Sequence, residues 1–180
     1  MIKLGLTGNI ASGKSEVEKI LQNSGFKVID LDKVSHKFLE NNSEIFNHFK
    51  TLDRKKIADI VFGDIEEKKY LENILHPMLY NFILEEFKKD YNKIVISGAL
   101  LYEAGFDKLF DKIIFVDAPY NLRLERLIKR NNLSESEARK RLDCQTDKYK
   151  NCADYTIENI GNIEELEKSI NLILSNLEHI

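Results

Sequence analysis

The chain has 180 residues, of which 43% are hydrophobic and 32% are charged, and its net charge is −3. This length suits one domain with a real core, and the net negative charge excludes the global basic field of many nucleic-acid-binding proteins. The first residues do not form a secretory signal, and no apolar run approaches the roughly 20 residues of a membrane helix. We therefore expect a cytoplasmic protein without nucleic-acid or membrane partners. A monomer is favoured, although no pattern determines the oligomeric state.

The first twenty residues have the pattern of a strand, a glycine-rich loop and a helix. An apolar run at residues 2–6 precedes GNIASGKS at residues 8–15, and Val17, Ile20 and Leu21 then recur at helical spacing. The motif G-x-x-x-x-G-K-[ST] is complete and stands in the setting of a phosphate-binding loop. Such a loop wraps a polyphosphate with backbone N–H groups at a helix N-terminus. We expect Lys14 to reach the outer phosphates and the Ser15 hydroxyl to ligate Mg²⁺.

The predicted nucleotide-binding residues are those of the loop and the start of its helix. They are Gly8, Asn9, Ile10, Ala11, Ser12, Gly13, Lys14, Ser15 and Glu16. Glu16 is unexpected beside phosphates, but a carboxylate in the first turn complements the helix dipole.

A second short strand, near residues 26–30, leads into Asp30-Leu31-Asp32. Carboxylates that follow a parallel strand lie where open α/β sheets bind their ligands. Alternation along extended backbone would direct Asp30 and Asp32 to the same side, toward the phosphate loop. The alternative is that Asp32 caps a helix beginning near Lys33.

Residues 34–90 are helical in pattern almost throughout, which is far longer than an ordinary crossover between two parallel strands. We therefore predict an inserted helical subdomain that holds the second substrate. His76-Pro77 interrupts this stretch, and the proline suits the first turn of a later helix. His76 is either a packing residue at this junction or a substrate-binding residue.

Further strands are predicted near residues 93–97, 112–117 and 154–158, which together with the first two indicate a parallel α/β sheet. The dense basic region of the chain, residues 123–141, falls on two helices, the second with a capping box from Ser134 and Glu137. It is either a solvated helix face or a mobile hairpin whose arginines neutralise a transferring phosphoryl group. A last amphipathic helix from Ile163 should pack on the sheet.

A phosphate loop is compatible with a small kinase, a switch GTPase or an ATP-driven motor. A switch GTPase needs D-x-x-G and N-K-x-D motifs, which this sequence lacks, and a motor normally needs a longer chain. A helical insert with a basic hairpin favours a small-molecule kinase. Another nucleoside or nucleotide kinase, or a non-catalytic nucleotide-binding regulator, are the alternatives.

The motifs resemble those of the dephospho-coenzyme A kinase family, in order and over nearly the whole chain. They are LGLTGNIASGKS at 4–15, VIDLD at 28–32 with His36, LHP at 75–77, LLYE at 100–103, VDAP at 116–119, Arg126 with Arg130, Arg141 with Gln145, and ADYTIEN at 153–159. The resemblance implies a P-loop NTPase-type fold: a parallel five-stranded sheet flanked by helices, with a helical substrate-binding insert and a helical lid. It also implies a core of residues 1–33, 91–122 and 150–180, an insert of residues 34–90, and a basic lid of residues 123–149.

The activity that the resemblance implies is transfer of the ATP γ-phosphoryl group to the ribose 3′-hydroxyl of 3′-dephospho-coenzyme A, with Mg²⁺. Asp32 would act as the general base. The charge of the transferring group would be stabilised by Lys14 and by the lid arginines Arg126, Arg130 and Arg141. The acceptor would contact Asp32, His76, Leu101 and Glu103.

The sequence departs from the family pattern at several positions near the phosphates. Asn9 and Ala11 replace usual glycines, and Glu16 replaces a usual threonine. Ser97 and Ala99 stand where Asp and Pro are common, so the carboxylate that usually supports the metal is missing there. The possible substitutes are Asp30, Glu103 and Asp117. Either Lys148 or Lys150 takes the basic role before the last strand.

Overall fold

A computed structural model describes residues 1–144 and 147–177, except for the side chains of residues 147 and 148. Five strands form one sheet in the order β2-β3-β1-β4-β5. The strands are β1 Ile2–Gly8, β2 Lys27–Asp30, β3 Lys93–Ser97, β4 Lys112–Asp117 and β5 Tyr155–Glu158. The pairings of β1 with β3 and β4, and of β4 with β5, are parallel. The predicted parallel α/β sheet is confirmed, because all five expected strands are present.

Eight α-helices are found within the described residues. They are α1 Lys14–Asn23, α2 Leu31–Glu40, α3 Ser43–Phe49, α4 Arg54–Gly63, α5 Ile65–Phe87, α6 Tyr120–Asn131, α7 Glu135–Asp143 and α8 Ile163–Leu177. Short 3₁₀ helices cover Asp107–Leu109 and Asp147–Cys152. Of the helices described, none has the length and apolar character to cross a bilayer. Cys144 and Cys152 are exposed and form no disulfide.

The main core lies between the sheet and helices α1 and α8. Buried side chains of β1, β3 and β4 meet those of the two helices in one cluster, which includes Leu4, Leu6, Val95, Ile114, Leu21 and Ile170. The strands are apolar on both faces because helices or loops cover both sides of a parallel sheet. The prediction that the last helix packs on the sheet is confirmed.

The chain divides into two compact units. The first comprises Met1–Ile29 and Tyr91–Ile180, and the second comprises Asp30–Asp90. The second unit is helical and has its own apolar cluster, in which Leu39, Ile45, Ile57 and Leu75 are buried. It therefore has the core expected of an inserted helical subdomain.

Helix α5 corrects one prediction about the insert. His76-Pro77 does not separate two helices, because α5 continues from Ile65 to Phe87 with Pro77 inside it. A proline within a helix lacks the N–H that would bond the carbonyl four residues earlier, here that of Asn73, and this loss disfavours the helix. Buried Leu75, Leu79 and Ile83 compensate, since their packing keeps the helix continuous on both sides of the proline.

The segment after β2 corrects a second prediction. Helix α2 begins at Leu31, not near Lys33, so Asp32 is helical and does not alternate with Asp30 along an extended strand. Asp30 is the N-cap, and its carboxylate accepts a hydrogen bond from the Lys33 amide at 3.1 Å. The alternative in which Asp32 caps the helix is therefore also wrong. Asp32 lies in the first turn, where a carboxylate is favoured by the helix dipole.

Candidate active site

The phosphate loop leaves the carboxyl end of β1 and enters α1 at Lys14. Gly8 is required by close approach, because a Cβ there would lie 2.3 Å from the Val116 carbonyl oxygen of the neighbouring strand. Gly13 has a φ of 97°, and a Cβ there would lie 2.0 Å from Nδ2 of Asn159. The fold itself thus requires glycine at both positions of the motif, whatever ligand the loop binds.

Ala11 is the unusual residue of the loop. Its φ is 60°, in the left-handed region that glycine adopts without strain. Its side chain and that of Ile10 pack against the apolar cluster of α6 and α7, which includes Leu124, Leu127, Ala138 and Leu142. The loop therefore keeps the backbone of a glycine-rich turn at Ala11 while gaining side-chain contacts with the basic hairpin.

Lys14 lies over the carboxyl end of β3. Its ammonium group donates to Ser97 Oγ at 2.8 Å and lies 3.5 Å from Oε1 of Glu18. The Ser97 hydroxyl in turn donates to the same Glu18 carboxylate. Lysine, serine and glutamate thus form one connected group beside the loop.

Asp117 connects the loop to the segment before β5. Its Oδ1 accepts from Nδ2 of Asn9 at 3.1 Å, and its Oδ2 accepts from Nζ of Lys150 at 2.6 Å. Burial opposes ionisation of Asp117, but hydrogen bonds from Lys150, the Ala118 amide and Asn9 together lower its pKa. Asp117 therefore anchors Asn9 as a stable carboxylate. Lys150 is also half-exposed at the site, and the side chain of Lys148 lies outside the described residues.

Asn159, which follows β5, closes the loop from its other side. Its Nδ2 donates to the Ser12 carbonyl at 3.0 Å, and its Oδ1 accepts from the Gly161 amide at 3.1 Å. Arg126 donates to the same Ser12 carbonyl at 3.2 Å and to Oδ1 of Asn159 at 3.3 Å. The side chain of Asn159 is buried, and these contacts join the loop, the end of β5 and the hairpin.

The basic hairpin consists of α6 and α7. Ser134 and Glu137 form the predicted capping box at the start of α7. Arg123 is buried and donates to the Ala118 carbonyl at 3.0 Å, so it serves packing. Of the predicted lid arginines, Arg126 contacts the loop, whereas Arg130 and Arg141 are exposed. Gln145, which the motif pairs with Arg141, lies outside the described residues.

Predicted acceptor residues occur in both units. In the helical unit, Asp32 and His36 are four residues apart on α2, which places them on one face. Burial is the main cause that lowers the pKa of His36, followed by the charge of Arg54, while Asp32 and Asp30 oppose this shift. His76 is half-buried in α5, and burial also lowers its pKa.

The LLYE turn after β3 lies in the other unit, and its two predicted acceptor residues differ in exposure. Leu101 is fully buried, whereas Leu100 and Glu103 are exposed. The Leu101 side chain therefore packs inside the turn, and its contact with the acceptor stays a prediction. Tyr102 stacks on Tyr149 with ring centroids 4.9 Å apart, and burial raises the pKa of its hydroxyl to about 12.

Sequence reasoning missed two residues of the site, Glu18 and Asn159. Asn159 belongs to the ADYTIEN motif, and its position after a parallel strand is the signal that points to it. Glu18 has no comparable motif. Its place beside the loop follows from helical spacing to Lys14 and Ser15 combined with the position of Ser97, which only the assembled sheet reveals.

Comparisons with known proteins agree with this geometry. The family model described as dephospho-CoA kinase matches residues 2–165. The dephospho-CoA kinase of Fusobacterium nucleatum is 39% identical over 181 residues, covering 93% of this chain and 94% of the relative. That of Helicobacter pylori is 35% identical over 189 residues, covering 97% of this chain and 96% of the relative.

A solved structure has a similar fold over nearly the whole chain. The crystal structure of TT1252 from Thermus thermophilus superposes with a TM-score of 0.86 at 32% identity, covering 98% of this chain and 97% of that one. Ser97, Asp117 and Asn159 contact the phosphate loop, and the matches cover nearly the whole chain. These findings lead to one conclusion: the chain belongs to the dephospho-CoA kinase family of P-loop kinases.

Proposed function

We propose that this protein transfers the γ-phosphoryl group of ATP to the ribose 3′-hydroxyl of 3′-dephospho-coenzyme A, which yields coenzyme A and ADP. This is the final step of coenzyme A biosynthesis. The observation that carries the proposal is the complete phosphate loop, held by strand-end residues, in a chain that matches the kinase family over residues 2–165.

The loop from Gly8 to Glu16 binds the triphosphate of ATP. Gly8 and Gly13 let the backbone approach the phosphates, and the N-terminus of α1 supplies amide donors and the positive end of the helix dipole. Lys14 contacts the outer phosphates, so ATP displaces its ammonium group from part of the contact with Ser97. Asn9 and Ser12 keep the loop open because Asp117 and Asn159 hold them from outside.

The donor set near α1 also fits Mg²⁺. Ser15 is exposed in the first turn of α1, and its hydroxyl is an oxygen ligand of the kind that this cation prefers. Bound Mg²⁺ supplies neutralisation of the phosphate charge. Ser15 would hold the ion together with the nucleotide phosphates.

Asp32 is the general base in this proposal. As the acceptor 3′-oxygen forms its bond to the γ-phosphorus, the proton of that hydroxyl moves to the Asp32 carboxylate, and the bond from the γ-phosphorus to the bridging oxygen of ADP breaks. Such a base contributes typically about 10²–10⁴-fold to the rate. His36 lies on the same face of α2 as Asp32 and is the titratable neighbour of this base.

The remaining assignments concern the acceptor and the hairpin. The insert, residues 34–90, binds the coenzyme A portion with His76, and Glu103 of the LLYE turn adds a second contact region. In the basic lid, residues 123–149, Arg126, Arg130 and Arg141 stabilise charge on the transferring group. Guanidinium groups suit this role because they bind phosphate oxygens in a bidentate manner. The enzyme is proposed to act in the cytoplasm on small molecules alone.

An ADP-release assay with a panel of acceptors tests the proposal. The panel contains 3′-dephospho-coenzyme A, coenzyme A itself, adenosine, AMP and other nucleosides and nucleotides. We expect ATP-dependent turnover with 3′-dephospho-coenzyme A alone, since coenzyme A already carries the 3′-phosphate. Turnover with a nucleoside or nucleotide instead would make the protein a different small kinase, and ATP binding without any turnover would make it a regulator.

A further inference from the structure

The carboxylate of Glu18 lies at the carboxyl end of β3, although Glu18 belongs to α1. The Ser97 hydroxyl donates to it, and the ammonium group of Lys14 lies 3.5 Å away. Only 16% of its side chain is exposed. Ser97 itself is fully buried as the last residue of β3, opposite Leu6 of β1. A charged group from the helix is thus held at the end of a strand next to the loop strand.

The end of a strand near the phosphate loop is where phosphate-loop enzymes carry a carboxylate for Mg²⁺. In such enzymes Mg²⁺ is held by the loop serine or threonine together with an aspartate that follows a strand. Here β3, one of the two strands that pair with β1, ends in Ser97, whose neutral hydroxyl cannot supply the negative charge. Glu18 brings a carboxylate to the same strand end through the hydrogen bond from Ser97.

Helix geometry places Glu18 beside the predicted metal ligand. Ser15 and Glu18 are three residues apart on α1, so their side chains are neighbours on one face of that helix. Lys14 is four residues from Glu18 and belongs to the same surface. The hydroxyl, the ammonium group and the carboxylate therefore surround the place where the outer phosphates are proposed to bind.

Other carboxylates of this unit are placed less well for the role. Both oxygens of Asp117 are engaged, by Asn9 and Ala118 on one side and by Lys150 on the other, and Asp117 follows β4. Glu103 is exposed in the turn after β3. The Glu16 carboxylate lies over Gly13, where a Cβ would come within 2.8 Å of its Oε2.

Electrostatics support a cation at this place. A carboxylate beside a triphosphate is repelled by it, and a largely buried carboxylate is costly unless positive charge compensates it. Lys14 offsets Glu18 in this structure, but the proposed contact of Lys14 with the phosphates draws that charge toward ATP. A divalent cation bound between the phosphates and Glu18 would restore the balance.

We propose that Glu18, held by Ser97, is the positioning carboxylate of the magnesium site and supplies the negative charge that position 97 lacks. It would accept hydrogen bonds from water ligands of Mg²⁺ and orient Lys14 through Ser97. This inference rests on the proposed ATP and Mg²⁺ binding of the phosphate loop. It does not depend on the identity of the acceptor.

The test compares the full-length protein with Glu18→Gln, Glu18→Ala, and the double variant Glu18→Ala/Ser97→Asp, which returns a carboxylate to the strand end. Glu167→Gln, on the exposed face of α8, is the control. Calorimetry measures ATP affinity with Mg²⁺ and with EDTA, in the absence of any acceptor. Kinetics with 3′-dephospho-coenzyme A measure the Mg²⁺ concentration for half-maximal rate.

We expect Glu18→Gln to raise that Mg²⁺ concentration by about 10-fold or more, as loss of a residue that supports metal ligands typically does. Mg²⁺ should also strengthen ATP binding by a smaller factor in this variant, whereas ATP affinity in EDTA should not fall. The double variant should reach half-maximal rate at a lower Mg²⁺ concentration than Glu18→Ala, close to that of the wild type. Glu167→Gln should match the wild type.

Equal weakening of ATP binding with Mg²⁺ and with EDTA would overturn the proposal, because it would show a purely structural role. The proposal would also be overturned if Ser97→Asp in the Glu18→Ala background did not lower the Mg²⁺ concentration needed for half-maximal rate. This comparison decides the test if Glu18→Gln does not fold. If the wild type binds MgATP but ignores 3′-dephospho-coenzyme A, the proposed function fails while the calorimetric test of Glu18 still stands.

Discussion

The Asn159 side chain donates from Nδ2 to the Ser12 carbonyl at 3.0 Å, across 147 residues of sequence. The same amide group occupies the space that a Cβ at Gly13 would need. One buried side chain after the last strand therefore determines both the path of the phosphate loop and the identity of its second glycine. Arg126 joins this junction, which connects the loop to the basic hairpin.

Asn159→Ala should destabilise the protein by about 1–3 kcal/mol, because the buried Ser12 carbonyl and Gly161 amide lose a partner. ATP affinity should fall by about 10-fold as the loop gains freedom, an effect equivalent to roughly 1.4 kcal/mol. Denaturant unfolding and calorimetry measure the two effects. Asn171→Ala on the exposed face of α8 is the control. Unchanged ATP affinity in Asn159→Ala would show that the junction does not shape the loop.

Ala11→Gly should stabilise the protein slightly or leave its stability unchanged, whereas alanine-to-glycine changes in helices destabilise by about 1 kcal/mol. Left-handed backbone costs a residue with a Cβ about 1–2 kcal/mol, which exceeds the added entropy of glycine in the unfolded chain, about 0.4–1 kcal/mol. Loss of the Ala11 methyl contact with the hairpin reduces the gain. Ala58→Gly in α4 is the matched control, and equal destabilisation by both changes would contradict the strain at Ala11.

Asp32→Asn should lower kcat by roughly 100-fold or more while ATP affinity stays close to that of the wild type, as expected for loss of a general base. Single-turnover kinetics and ATP titration separate the two quantities. Asp59→Asn in α4 provides a control of the same chemistry in the same unit. Normal turnover by Asp32→Asn would leave Asp32 with only a helix-dipole role.

Lys14→Ala should weaken use of ATP strongly, with kcat/KM for ATP reduced by at least about 100-fold, because a fixed cation at the transferring phosphates is removed. Circular dichroism and thermal unfolding should show an intact fold, since the side chain lies outside the main core. Lys19→Ala, at an exposed position of the same helix, should leave kcat/KM unchanged. Activity retained in Lys14→Ala would refute the assignment of the phosphate loop.

His76 should make stability depend on pH in the acid range. Burial lowers its pKa in the folded state, so the unfolded chain binds more protons as the pH falls below the usual value of 6.5. The free energy of unfolding should therefore decrease from pH 6.5 downward, and His76→Gln should reduce that slope. Urea unfolding at several pH values between 5 and 7.5 provides the measurement.

His36 should contribute to the same pH dependence of stability, because burial lowers its pKa as well. His36→Gln should also reduce the slope, and the two variants together should reduce it further. If the free energy of unfolding of both single variants keeps the full wild-type dependence on pH, burial does not lower the pKa of either histidine.

The sequence by itself determined the fold class and the phosphate loop. Both depend on local patterns: G-x-x-x-x-G-K-[ST] between an apolar run and a helical pattern, and apolar strands alternating with helices. Short-range physical chemistry suffices for these features, as it did for the capping box of Ser134 and Glu137. It misled at His76-Pro77 and at Asp30-Leu31-Asp32, where propensity alone suggested a helix break and an extended acidic pair.

Only the tertiary structure decided which residues surround the loop. Pro77 inside α5 costs stability, and local propensity therefore predicts a helix break there. Burial of Leu75, Leu79 and Ile83 outweighs this cost, so α5 is continuous. Strand order brings Ser97, Asp117 and Asn159 to the loop from positions 83 to 147 residues away from their loop partners. Such contacts depend on the register of parallel strands, which pair residues distant in sequence, and no local pattern contains that information.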